Sequence, residues 1–193
     1  MTISDRIRVK DLRLLSDNHY ILKAATFEWR RANGEWQTQH RESYDRGNAA
    51  ALLPYNLAQR TVVLVRQFRY PAYVNGCDDL LIEAAAGMLD NVSPETRIRA
   101  EAEEEIGYRL RDIRKIFEAY MSPGSVTEKL HFFVGEYQPD MKIGSGGGNP
   151  DEGEDIEVLD LGIDEALAMI ADGRIMDAKT IMLLQWARLN VFG

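Results

Sequence analysis

Four glutamates fall within five consecutive positions, Glu101, Glu103, Glu104 and Glu105, and the run is closed two residues later by Gly107. On a helix, Glu101, Glu104 and Glu105 stand at i, i+3 and i+4 and share one face, while Glu103 points elsewhere and is expected to be solvated. Like charges at this spacing oppose a helix by roughly 0.2–0.5 kcal/mol per pair, so the cluster calls for either solvent or a cation. Taken without context, a Glu-rich helix face is most often a solvated surface. Arg97 and Arg99, four residues before Glu101 and Glu103, offset part of the repulsion. Ser93 offers an N-cap, Pro94 the first helical position and Gly107 a stop, which predicts a helix over about 94–106 with its carboxylates at the far end.

Before that helix the chain reads as strands. Residues 8–46 hold aromatic and β-branched residues on both sides of Asn33-Gly34, a pair that favours a type I′ hairpin turn with positive φ at both positions. "TVVLVRQFRY" (61–70) is an apolar run too continuous for a half-exposed strand and is expected to be buried on both faces. "LLIEAAAGML" (80–89) reads as a strand entering a loop. After the helix, strands are expected near 113–121, 129–138 and 156–161, helices over 164–173 and 177–190, and a flexible acidic loop over 143–155. The fold class is therefore α/β of the α+β kind, a mixed sheet covered by helices.

The chain has 193 residues, 45% of them hydrophobic, enough for one sizeable core with a small appended sheet. Its net charge of −8 argues against a protein that grips nucleic acid or an anionic membrane. A single cysteine, Cys77, rules out a disulfide framework and a zinc-thiolate cluster, and no segment approaches the roughly 20 apolar residues of a membrane span. A cytoplasmic protein is expected. Magnesium prefers oxygen ligands and keeps several waters, so carboxylates on a rigid helix completed by a substrate's phosphates suit it. Such ions lower the pKa of a bound water and stabilise a leaving oxygen, which is the chemistry of phosphoanhydride hydrolysis.

"GMLDNVSPETRIRAEAEEEIGY" (87–108) resembles the Nudix box, with Glu101, Glu104, Glu105 and Gly107 in register. Two departures stand out. Ala100 occupies the place of the box arginine, and the loop is one residue shorter, with Val92 or Ser93 where the first glutamate belongs. Arg97 or Arg99 is the expected replacement for the arginine as a brace between loop and helix. "HRESYDRGN", "VVLVRQFRY", "EAAAGMLDN", "YMSPGSVTEKLHFF", "GEDIEVLDL" and "DAKTIMLL" extend the resemblance over most of the chain, to the nucleoside diphosphate sugar branch of the Nudix hydrolases and within it to the GDP-mannose pyrophosphatase group.

That resemblance implies a Nudix α/β/α sandwich over 47–193, preceded by an N-terminal antiparallel sheet over 1–46 that serves as a dimerisation element. It implies magnesium, with manganese as a substitute, held by the Ala86 carbonyl, Glu101, Glu105 and Glu154. Glu104 is expected as an auxiliary to Glu105, and Glu154 as a ligand or the group that activates water. Gly87, Arg69, Glu128 and Lys179 are expected to contact substrate, Arg69 at the diphosphate. His40, Arg41 and Glu42 match a Lys-Arg-Glu triplet that touches the nucleotide in relatives, and His19 replaces a tyrosine there. The implied reaction is hydrolysis of a nucleoside diphosphate sugar, GDP-mannose to GMP and mannose 1-phosphate, by a homodimer. ADP-ribose pyrophosphatase, giving AMP and ribose 5-phosphate, is the alternative enzyme, and a non-catalytic nucleotide-sugar-binding module is the alternative of another class.

Overall fold

The computed structural model describes residues 2–193, with the exception of the side chain of residue 152. The chain forms two compact units, one running to Asn48 and taking in Tyr120–Lys129, the other made of Ala49–Ala119 with Leu130–Gly193.

The first unit is a three-stranded antiparallel meander of β1 (Ile7–Asp17), β2 (Ile21–Arg30) and β3 (Trp36–Asp45). The Asn33-Gly34 hairpin is present, but not as a type I′ turn. Gly34 N–H donates to the Arg31 carbonyl, Arg31 N–H pairs with Glu35, and only Gly34 has a positive φ, +89°. This is a three-residue loop closed by a glycine bulge, which confines the left-handed conformation to the one residue without a Cβ. The Asn33 side chain instead donates to Glu35.

The second unit is built on a sheet in which β4 (Ala49–Asn56) is central. It lies between β5 (Thr61–Gln67) and β9 (Lys129–Glu136), with β8 (Arg114–Tyr120) and β10 (Glu157–Gly162) outermost. The sequence reading missed β4, because three successive alanines and Pro54 both speak against a strand. The structure tolerates them for a geometric reason. On one edge β4 pairs with β7 (Ala85–Met88) over 49–52 and with β5 only at Tyr55 and Asn56, so Leu53 and Pro54 fall in the gap where no ladder is interrupted. The alanines keep the sheet thin where a helix comes close.

β4 and β5 diverge beyond that short pairing, and the wedge between them is filled by residues 81–88. The expected single strand is therefore two, β6 (Leu81–Glu83) on β5 and β7 on β4, broken at Ala84. Ala84 N–H is not orphaned at the break, since it donates to Thr180 Oγ1 at 2.6 Å from the helix α4 (Ala178–Asn190). A short helix unseen in the sequence, α1 (Tyr70–Val74), follows β5.

The helix α2 (Pro94–Glu105) forms as its caps predict, with Ser93 accepting from Thr96 N–H and Gly107 taking a φ of +75°. Its Ile98, Ala102 and the following Ile106 pack on Ala50, Leu52, Val63, Val65 and Ala85. Residues of opposite parity, Ala51, Leu53, Val62 and Leu64, are also buried, so both faces of the sheet are covered. α4 packs on β4 and β6 and is backed by α3 (Ile163–Ala171). Nothing among the described residues forms a helix long and apolar enough to cross a membrane.

Thr180 is fully buried, so Thr180→Val removes the acceptor of Ala84 N–H at constant volume. A loss of about 1–3 kcal/mol of unfolding free energy is expected, the cost of a buried donor left without a partner, and urea denaturation measures it.

Candidate active site

The wedge of β6 and β7 brings the strand backbone against the last turns of α2. Register places Ala86 opposite Ala51 and Gly87 opposite Ala50. A Cβ added to Gly87 would lie 2.0 Å from Glu101 Oε1, so only glycine lets the strand approach that carboxylate. One residue earlier, Ala86 N–H donates to Glu105 Oε2 at 3.1 Å.

The three glutamates of one helical face part company here. Glu101 and Glu105 are 6% and 2% exposed, whereas Glu104 is exposed. Glu103 is not merely solvated as expected. It forms a two-point ion pair with Arg109, Nε to Oε1 at 2.8 Å and Nη2 to Oε2 at 2.9 Å. The chain's turn at Gly107 brings that arginine back onto the helix, a proximity that helix spacing alone does not disclose.

The arginine missing at position 100 has a structural counterpart. Arg97 Nε lies 2.7 Å from Glu101 Oε1, and its Nη2 lies 3.8 Å from Asp90 Oδ2 in the loop before the helix. Arg97 thus links loop, helix and carboxylate. Arg99 serves elsewhere, tying Glu95 to the carbonyls of Leu110 and Arg111 beyond the helix end.

The glycine-rich part of the segment expected as a flexible acidic loop is docked by its backbone. Gly147 N–H donates to the Glu105 carbonyl at 3.0 Å and Gly148 N–H to that of Glu104 at 3.2 Å. The last carbonyls of any helix need donors from outside it, and this segment supplies them. Gly146, with φ +69°, passes so close that a Cβ would lie 2.4 Å from the Glu105 carbonyl oxygen. The same docking delivers Glu154, whose Oε2 accepts from Asn149 N–H at 2.9 Å.

Burial, with Glu101 and Glu154 as charged neighbours, pushes Glu105 up to about 8, against the opposing pull of Ala86 N–H and Arg69. Arg69 and Lys179 meet on a residue the sequence reading did not single out. Glu83, 4% exposed, takes Arg69 Nε on Oε2 at 2.6 Å and Lys179 Nζ on Oε1. Lys179 Nζ is also 3.0 Å from Asp177, the N-cap of α4. Burial works to raise Glu83, but Lys179 and Arg69 outweigh it and hold the carboxyl below its ordinary value. A charged residue inside an otherwise apolar strand, "LLIEAAAG", was the signal available in the sequence.

Glu101 is turned to Arg97 and Glu154 to Asn149, and among the described residues no three acid, histidine or cysteine side chains converge on one point. The donor chemistry nonetheless fits a hard divalent cation. It is all oxygen, and a carboxyl raised first by burial and then by its carboxylate neighbours is one whose charge such a cation relieves.

The other expected substrate residues belong to the N-terminal unit. His40 Nδ1 lies 2.9 Å from Thr26 Oγ1, Arg41 folds onto the His40 carbonyl, and Glu128 Oε1 is 3.6 Å from Arg46 Nε. The regular β2–β3 register sends His40 and Glu42 to one face of β3 and Arg41 to the other, so the triplet is not a single patch. His19 is exposed, its ring 4.3 Å from that of Tyr20.

Residues 6–44 match the family described as the GDP-mannose pyrophosphatase NudK N-terminal domain. Over 186 residues, 96% of this chain and 95% of the relative, the sequence is 54% identical to a GDP-mannose pyrophosphatase of Pectobacterium atrosepticum. It is 50% identical to that of Citrobacter koseri over 95% of this chain and 96% of the relative. A crystal structure of an ADP compounds hydrolase shares the fold at a TM-score of 0.73, with 15% identity and 97% of each chain covered.

In the unfolded chain Glu105 ionises near its ordinary 4.5, while in the fold it keeps its proton to about 8. The fold therefore binds the extra proton between those values, and its stability falls as pH rises through that window. Chelator-treated protein is expected to melt at progressively lower temperature from pH 5 to pH 8, with a divalent cation restoring more at pH 8 than at pH 5. Scanning fluorimetry reads this, and Glu105→Gln should flatten the pH slope.

Proposed function

Since the chain belongs to the GDP-mannose pyrophosphatase family of Nudix hydrolases, we propose that it hydrolyses the diphosphate of GDP-mannose, releasing GMP and mannose 1-phosphate. The observation that carries this reading is the buried pair Glu101 and Glu105 at the end of α2, with the guanidinium of Arg69 close enough to act on the Glu105 charge. Carboxylates beside a fixed cation suit a diphosphate bound together with a divalent metal.

Magnesium, or manganese in its place, would be held by Glu101, Glu105, Glu154 and the Ala86 carbonyl, and would supply charge neutralisation at the phosphates and acidification of water. Arg69 ties only its Nε to Glu83, so its two terminal nitrogens are left to face the diphosphate, where fixed positive charge stabilises negative charge developing in the transition state. Lys179 and Gly87 line the same region. Water adds to one phosphorus, the bridging P–O bond breaks, and the proton lost from water passes to a carboxylate, the role assigned to Glu154. Exposed Glu104 is an auxiliary that adds negative field beside Glu105.

Contacts to the nucleotide are assigned to His40, Arg41 and Glu42 of the N-terminal unit, with His19 in the place of the relatives' tyrosine, and a further substrate contact to Glu128. That unit, residues 1–46 in the main, is the dimerisation element of a homodimer, which the exposed Val9, Leu12 and Leu14 of β1 support. A cytoplasmic site of action accords with the lone Cys77.

Purified protein with magnesium should hydrolyse GDP-mannose faster than ADP-ribose or ADP-glucose in a phosphate-release assay, and a preference for the adenine compounds would overturn the choice of substrate. Glu105→Gln should lower the rate by about 10²-fold or more while the protein stays folded. Light scattering after size exclusion should give a dimer for the native chain and a monomer for Leu12→Asp, since a charge cannot be buried unpaired in an interface.

A further inference from the structure

Among the cations near the carboxylate site, the two with a place in the proposed chemistry share one anchor. Glu83 closes β6, and both of its oxygens are occupied, one by Arg69 and the other by Lys179. Its side chain is 5% exposed, that of Lys179 14% and that of Arg69 43%, so the network is buried at its centre and opens only at the guanidinium. Asp177 brings the set to two cations and two anions, which is how four charges can be withdrawn from water together.

The way Arg69 is held matters more than the fact that it is held. A guanidinium has two useful edges, and the contact through Nε spends one of them on Glu83. Nη1 and Nη2 have no partner among the described residues and remain as a fork of the shape that takes two oxygens of a phosphate at once. The Glu105 charge acts on Arg69, so the guanidinium lies near the carboxylate site rather than on a remote surface. Past Glu83, the last residue of β6, the chain passes Ala84, held by Thr180, and enters β7, where Ala86 is held by Glu105. One short backbone stretch therefore sets both the carboxylate side of the site and its cationic side.

We propose that Glu83 is a positioning residue for diphosphate recognition, orienting the Arg69 guanidinium and the Lys179 ammonium toward the substrate's phosphates. This rests on the functional reading above, in which Arg69 and Lys179 meet the diphosphate. A purely structural Glu83 would only tie α4 to β6, and its loss would lower the melting temperature while leaving the folded enzyme's KM alone.

Steady-state kinetics with GDP-mannose and magnesium separate the two. Glu83→Gln keeps the shape but removes the charge, and KM is expected to rise roughly 10- to 100-fold, the size of effect seen when a charge-assisted hydrogen bond is lost. In an Arg69→Gln background the same change should raise KM by much less, because its action passes through the guanidinium. Glu83→Asp keeps the charge but withdraws it by one methylene, and should fold and show an intermediate KM. KM unchanged in Glu83→Asp, or penalties of Glu83→Gln and Arg69→Gln that simply multiply, would overturn the proposal, even if Glu83→Gln does not fold. A native protein that leaves GDP-mannose intact would instead defeat the functional reading, whereas an active native protein with unmoved Glu83 variants would defeat this inference alone.

Discussion

A carboxyl that is 2% exposed, with two further carboxylates acting on it, is costly to bury, and the surrounding elements of the second unit are arranged around it. Glu105 is reached by one backbone donor, Ala86 N–H, and that donor is in place only because β4 and β5 diverge and admit β6 and β7 between them. The small residues of this region follow from the same demand. Ala50 lets α2 approach the sheet, and Gly87 lets the strand approach Glu101 without collision.

Charge is sorted across the wedge. On the α2 side stand Glu101, Glu105 and Glu154, and on the α4 side Arg69 and Lys179, themselves neutralised by Glu83 and Asp177. A ligand that carries both metal-binding oxygens and exposed phosphate charge can satisfy the two sides at once. On the proposed reading that ligand is a metal-bound diphosphate.

Much of the architecture was legible in the sequence because its signals are local. The Ser93-Pro94 start and Gly107 stop of α2, the buried run of β5 and the Asp177-capped α4 all depend on residues within a few positions of one another. β4 was not legible, since three alanines and a proline become a central strand only when a close-packed helix and an interrupted ladder make them suitable. The glycine-rich segment 143–148 read as flexible because its partners, the carbonyls at the end of α2, lie some forty residues away and present no side-chain pattern. Arg109 was not foreseen as the partner of Glu103 because the chain's reversal at Gly107, not helix spacing, brings it back, and Glu83 was not seen as the anchor of two cations because Lys179 comes from a distant helix.

The sequence by itself determined that a capped helix would end in carboxylates at i, i+3 and i+4, because helical spacing and capping are short-range and almost independent of surroundings. Only the tertiary structure decided which of them matter together. It buried Glu101 and Glu105 and left Glu104 in solvent, placed Arg97 where position 100 holds alanine, and joined Arg69 to Lys179 through Glu83. Burial and ion pairing are set by what the rest of the chain packs against a residue, and no stretch of neighbouring letters contains that information.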